Sequence, residues 1–407
     1  MRLKAVKLMA VPTIGLLVMA SHIGMSSSAY ASDQGHARRI ALASTPSQPA
    51  WLAVINNYRE ASGLSAVTNE PSWDQGIHDH LTYMRKTPAK YLTGEYQDLH
   101  DENPASPYFT IAGEEAGSAS DLIVGDGGTA EQDIEQWLES PFHAEAILNA
   151  SLGQVAFSQE GGTAGLDVTD GLNLNITPTY PVLFPGSGAV TDLAEYSGNE
   201  RPSPTESCSW GTTHQYGLPP LVGLPLIANF AQAPEVGLSA TLTYQSTTTA
   251  AIQSEQLCIV DANTYTTTDA VYGAVGLETL EEDNAVLLIP KNFLASGTYT
   301  ATISQPGLSD VTWSFKVVPQ PSIATPQLLD VRKGVALQKQ LMVRNAVAPD
   351  TWVVLSGHFP TGVHMSSSGM LSGVPRATGT SEVTVEVSDS RSFDARSEPL
   401  FVKVLAN

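Results

Sequence analysis

The sequence predicts a multidomain protein: an N-terminal α+β domain followed by two all-β sandwiches. Three observations carry this. Between Trp51 and Leu148 apolar residues recur three and four positions apart, the period of a helix that buries one face. From Tyr180 onward that period gives way to short alternating runs rich in Thr, Ser, Gly and Pro. Val318-Pro319-Gln320-Pro321 then interrupts the β-rich half as a linker. The resulting division is a leader 1–31, a lead-in 32–48, a helical domain 49–179, a β domain 180–318, the linker 319–321 and a final module 322–407.

The leader has the composition of an export signal. Arg2, Lys4 and Lys7 form its positive region, Leu8 to Ala20 is largely apolar, and Ala29-Tyr30-Ala31 is an A-x-A cleavage site. Cleavage after Ala31 and a secreted, extracellular protein are the expectation. Ser32 to Gln48 is small and polar and reads as a flexible lead-in.

Leu52, Ile55 and Tyr58 set a first helix, from Trp51 to Ala61, ending near Gly63. Pro71 and Ser72 mark a second start, with Ser72 as N-cap and Trp73, Ile77, Leu81 and Met84 on one side. His78 and His80, two apart, point to different faces and read as surface or packing histidines. Leu99 to Ser120, rich in Pro, Gly, Ser and acid, reads as a loop held between helices.

The central stretch is EQDIEQWLESPFHAEAILN, residues 131–149. Ile134, Trp137 and Leu138 define its apolar face, and Glu135 and Glu139 share another face. Pro141 ends the regular helix, His143 follows, and Ala146, Ile147 and Leu148 seat the next turn. Gln154–Gln159 and Gly165–Val168 alternate as strands. In the next domain SATLTYQ, QLCIVD, AVLLIP, GTYTATISQ and VTWSFKVV are strands at near-regular spacing, the pattern of a sandwich.

W-L-x-S-P-F-H-x-x-x-I-L-N, over 137–149, resembles the signature of bacterial members of the CAP superfamily, or SCP domains (cysteine-rich secretory, antigen 5 and pathogenesis-related 1 proteins). WLAVINNYREASGLSAV resembles the opening helix and turn of such domains. The resemblance implies an α-β-α sandwich with a cavity holding two histidines and two acidic residues. Residues 180–318 resemble the immunoglobulin-like β domain that follows CAP domains in some exported bacterial proteins. LSGxFPTGVxMxSSGxLSGVP, over 355–375, resembles the immunoglobulin-type module written LPPGLxLxxxGxLxGTP, which commonly serves as a spacer.

Carried onto this chain, the resemblance places His143 and His100 as the two histidines and as candidate metal ligands. Glu114, in A-G-E-E-A-G, stands for the first acid, with Glu115 or Glu102 as alternatives. Glu139 is nearest the second acid, with Glu135 as substitute. The ligand-binding and candidate catalytic set is therefore His100, Glu114, Glu139 and His143. Two imidazoles can hold a borderline divalent ion such as Zn²⁺ with positions left for water, and a carboxylate can orient a ring or take a proton. No HExxH motif or G-x-S-x-G elbow is present.

The formal net charge is −21, and removing the leader takes it to −24. Nucleic acid and anionic membranes need a basic footprint and are excluded as partners. No stretch is long enough for stable membrane insertion. Cys208 and Cys258, the only cysteines, read as a disulfide in an oxidising compartment. The leading expectation is a binding protein for a small-molecule, lipid or cell-surface ligand or a divalent cation. The rivals are a metal-assisted hydrolase acting on peptide or cell-envelope material, and a structural surface protein with a vestigial pocket.

Overall fold

Val155 and Ala156 are neighbours on one strand, yet they belong to two different hydrophobic cores. Successive strand residues point to opposite faces, so the sheet that carries them is covered on both sides. The computed structural model describes residues 48–124, 128–196, 198, 200–209, 222–246, 251–325, 328–390, 394–396 and 400–406. The leader and nearly all of the lead-in lie outside the described residues.

The first domain contains α1 (Ala50–Ala61), β1 (Thr68–Asn69), α2 (Asp74–Lys86), α3 (Ile111–Ala119), β2 (Ser120–Val124), α4 (Ala130–Glu139), α5 (Pro141–Ile147), β3 (Gln154–Glu160) and β4 (Thr163–Asp167). The strands form one sheet in the order β1-β3-β4-β2, with β1 parallel to β3 and the other pairs antiparallel. Gly161 and Gly162 turn β3 into β4, both at positive φ, as a two-residue hairpin requires. On one face lie Leu52 and Ile55 of α1, Trp137 and Leu138 of α4, and Ile147 of α5. On the other lie Ile77 and Leu81 of α2 with Ala116 of α3. This is the α-β-α sandwich.

Local details amend the sequence reading in three places. Glu70, not Ser72, caps the second helical segment: its carboxylate accepts from the Ser72 N–H, and a 3-10 turn (Pro71–Trp73) precedes α2. Pro141 does more than end α4, since it occupies the first turn of α5, where its missing N–H costs nothing. The expected loop from Leu99 to Ser120 ends in the helix α3. Its small residues show no broad apolar stripe, but the Thr110 hydroxyl accepts from the Gly113 N–H and starts it. Helix α4 begins with a capping box, Thr129 and Gln132 each bonding the other's backbone N–H.

The second domain is two facing sheets. One has the order β11 (Ile252–Glu255), β10 (Ser239–Ser246), β14 (Gly297–Ser304), β15 (Val311–Val317) and β6 (Val190–Thr191). The other has β12 (Leu257–Val260), β13 (Ala285–Pro290), β9 (Leu226–Asn229) and β5 (Val182–Phe184), and β7 (Glu195–Tyr196) pairs separately with β8 (Val222–Gly223). A helix that strand periodicity did not announce, α6 (Gly273–Glu282), lies against β13. Cys208 and Cys258 are joined, with their Cα atoms 5.5 Å apart.

Every residue of β9 is buried, because the first domain's α5 packs on it. One apolar core therefore runs without a break from α1 and α4 into β9, β13 and β15. Tyr58 of α1 bonds Thr191 through its hydroxyl at 2.9 Å, and its ring meets Phe184 at 5.7 Å. The last module keeps a core of its own around Leu329, Trp352, Leu371, Val385 and Val402. In its five-stranded sheet 400–405 pairs with 328–332 and 379–388, and 379–388 also pairs with 351–357 and 394–396. Residues 337–340, 370–373 and 363–365 make its three-stranded sheet. Among the described residues no helix is long and apolar enough to cross a membrane.

Candidate functional site

His143 sits in the first turn of α5, where the Pro141 break lifts it out of line with α4. Its backbone N–H and its Nδ1 both bond the Oε1 of Glu200, at 2.9 and 2.7 Å. Glu200 belongs to the second domain, between β7 and the turn at Pro204, and its side chain is fully buried. Asp121, at the start of β2, is the second carboxylate acting on His143. Burial by itself would push the His143 imidazole down. Asp121 and then Glu200 outweigh it and hold the ring up at about 9. Asp121 is pushed up to about 7 by burial and by Glu200, against the pull of His143. Glu200 Oε2 and Asp121 Oδ2 are shielded from solvent without hydrogen-bond partners among the described residues.

His100 donates Nδ1–H to the Gly117 carbonyl at 2.9 Å, because that oxygen can only accept. The bond fixes the tautomer and leaves Nε2 with its lone pair. Burial lowers the His100 pKa, the Gly117 bond opposes that, and His143 and His80 add like-charge pressure. His143 thus acts on His100 although the two stand 43 positions apart in the sequence.

His80 is fully buried and belongs to this cluster. Its Nε2–H donates to the Leu99 carbonyl at 2.9 Å, so one proton lies between Nδ1 and Glu102 Oε1, 3.0 Å apart. Glu102 Oε2 accepts from the Thr110 N–H, and the Glu102 N–H bonds the Glu114 carboxylate. Of the three acids left open by the sequence, Glu102 meets a histidine, Glu114 ties the loop to α3, and Glu115 is exposed. Burial raises the Glu114 carboxyl.

The structure places Glu139 elsewhere. It is pushed up to about 8 by burial, Glu195 and Asp192, and with Glu135 it acts on the Tyr58 hydroxyl. The carboxylate that meets His143 is Glu200, 57 residues further on in another domain. No local spacing announces that contact. His80 did leave a signal: three residues after Ile77 and next to Leu81, it lies on the apolar face of α2. His78 is half exposed and pairs with Glu160 at 3.3 Å.

The second domain also walls the His100 side. The Tyr272 hydroxyl accepts from the Leu99 N–H at 2.8 Å, and its ring meets His100 edge-on, 6.4 Å between centroids. The Arg201 guanidinium lies 5.0 Å over the Tyr272 ring and pairs with Asp269 at 2.8 Å. Among the described residues no group of three or more His, Cys, Asp or Glu side chains is placed to hold a metal ion.

An α-β-α sandwich with an anchored histidine pair, continued by β domains, defines the class. Residues 52–169 match the family model CAP, "Cysteine-rich secretory protein family", and residues 320–404 match the model "Putative Ig domain". The chain thus carries a CAP domain over 52–169 and an immunoglobulin-type module over 320–404. No curated protein matches it. Solved structures with some likeness include a "putative alpha-galactosidase" from Bacteroides fragilis, 18% identical, over 21% of this chain and 18% of that one, TM-score 0.19. The chain thus spans under a fifth of that protein's length. The copper resistance protein PcoC from Escherichia coli is 12% identical over 34% of this chain and 99% of its own, TM-score 0.20. The Ig1-2 module of the Drosophila receptor tyrosine phosphatase DLAR is 9% identical over 44% and 98%, TM-score 0.17.

Proposed function

We propose that the chain is an exported binding protein whose paired-histidine cavity holds a divalent cation or small polar ligand, with the β domains as its carrier. The observation that carries this is the way both rings are held. Each is anchored through Nδ1, His100 by the Gly117 carbonyl and His143 by Glu200, and neither Nε2 has a hydrogen-bond partner among the described residues. A carboxylate or carbonyl on one ring nitrogen is the usual support for a ring that binds through the other.

The residues fit a borderline ion such as Zn²⁺, with a condition. His100 offers a free lone pair at once, whereas His143 must first give up a proton. At neutral pH that proton competes with the ion, and two protein ligands leave the other positions to water. Such an ion would supply a polarised water or ligand oxygen. Asp121 and Glu200 would orient His143 and take up its charge.

Calorimetric Zn²⁺ titration of the full chain, in buffers of different ionisation heat, tests the cation arm. Weak binding with release of about one proton per ion, lost in His143→Ala, is expected. Native mass spectrometry of protein purified without chelator tests the small-ligand arm. Neither ion binding nor a retained ligand would reject the proposal.

A further inference from the structure

A cavity opens on the seam between the first two domains. Its volume is about 190 Å³, and its wall includes Asn149 and Ser151 after α5, Tyr180, Asn229 at the end of β9, and Glu282 and Asp283 at the end of α6. It shares no lining residue with the histidine site. At roughly 30 Å³ per water it holds about six waters, which suits a small ligand.

Asn229 is 3% exposed, and its Nδ2 donates to Glu145 Oε2 at 2.6 Å. The other oxygen of each side chain, Asn229 Oδ1 and Glu145 Oε1, is shielded from solvent with no hydrogen-bond partner among the described residues. Orphaned buried oxygens cost free energy unless a donor reaches them. The charges that act on Glu145 are Asp283 and Glu200, and the one that acts on Asp283 is Glu282. All are carboxylates. Arg59 reaches the same end of α5, but four of its five N–H donors go to the carbonyls of Ser65, Ile147, Asn149 and Leu152. The site also takes in the negative ends of two helices. No cation among the described residues is one of the charges that act on Glu145 or Asp283.

The arrangement favours an organic cation over a metal ion. No three carboxylate, histidine or cysteine groups among the described residues converge at metal-holding geometry. A hydrogen-bonding cation needs no such convergence, because its donors reach outward, and Tyr180 at the rim supplies an aromatic face of the kind that attracts ammonium and guanidinium groups. We propose that this seam cavity binds a small organic cation carrying a primary ammonium or guanidinium group, held by Asp283 and Asn229 against Tyr180.

The test is calorimetric titration of the full chain with agmatine, which carries both groups, and with 1-pentanol as an uncharged control. Saturable agmatine binding with no pentanol binding is expected, weakened at least tenfold in Asp283→Asn and in Asn229→Leu, and unchanged in His143→Ala. Asp283 is only partly buried, so Asp283→Asn should fold even if the Asn229 variant does not. Absence of agmatine binding, equal affinity in Asp283→Asn, or stoichiometric displacement of agmatine by Ca²⁺ would overturn the proposal. The His143→Ala arm separates its failure from failure of the histidine site.

Discussion

Glu200 holds His143 twice through one oxygen, once at the backbone N–H and once at Nδ1. The partners come from different domains, so the second domain is part of the candidate site as well as its carrier. Tyr272 repeats the relationship on the other histidine, bonding Leu99 and edging His100.

The first prediction follows from that pair. Glu200→Gln keeps the shape but removes the charge, so His143 should lose a main support of its raised pKa. NMR titration of the His143 ring should show its pKa falling from about 9 towards the ordinary histidine value, with His100 little changed. An unmoved His143 would mean that Asp121 alone sets it.

Arg59 is a buried cation satisfied by four carbonyls, and it joins α1 to the end of α5. Burial lowers it to about 10. Arg59→Met should strip the guanidinium from those carbonyls, of which Asn149 keeps the Leu152 N–H, and cost about 3 kcal/mol or more in urea unfolding. A loss under about 1 kcal/mol would show that water replaces the guanidinium.

Gly117 has no room for a side chain. An added Cβ would fall on the His80 ring, which packs directly against α3. Gly117→Ala should therefore destabilise by about 1–3 kcal/mol despite alanine's better helix propensity, and should disturb the His100 resonance through the Gly117 carbonyl. A more stable variant would contradict the packing described.

Stability should fall as pH rises from about 5 to 9. Asp167, Asp121, Asp283, Glu139 and His143 are held up at about 6, 7, 7, 8 and 9 in the folded chain. Over that window these five groups bind more protons in the folded state than in the unfolded one and outweigh the single lowered His100, so the slope of unfolding free energy against pH is negative. Each contribution is present below the group's unfolded pKa and is lost as pH passes its folded value. Thermal unfolding at pH 5, 7 and 9 should give a falling series of Tm values. A Tm that rose from pH 5 to 8 would refute it.

The sequence by itself determined what local spacing encodes. Ile134, Trp137 and Leu138 declare α4, alternation declares β10, β14 and β15, two cysteines in one β domain declare their bond, and short motifs declare the CAP and immunoglobulin-type modules. It also named His143 through the compact motif S-P-F-H, and His100 in L-H-D-E through the family resemblance. Only the tertiary structure decided what surrounds them. Glu139 shares one face of α4 with Glu135 and lies among Asp192 and Glu195, while Glu200 reaches His143 from a chain segment 57 residues away. Helix α3 escaped notice because its face is glycine and alanine, chosen for closeness to His80 rather than for hydrophobic area. Periodicity reports burial along one element. Which acid meets which base depends on how elements dock, and docking across two domains leaves no period in the sequence.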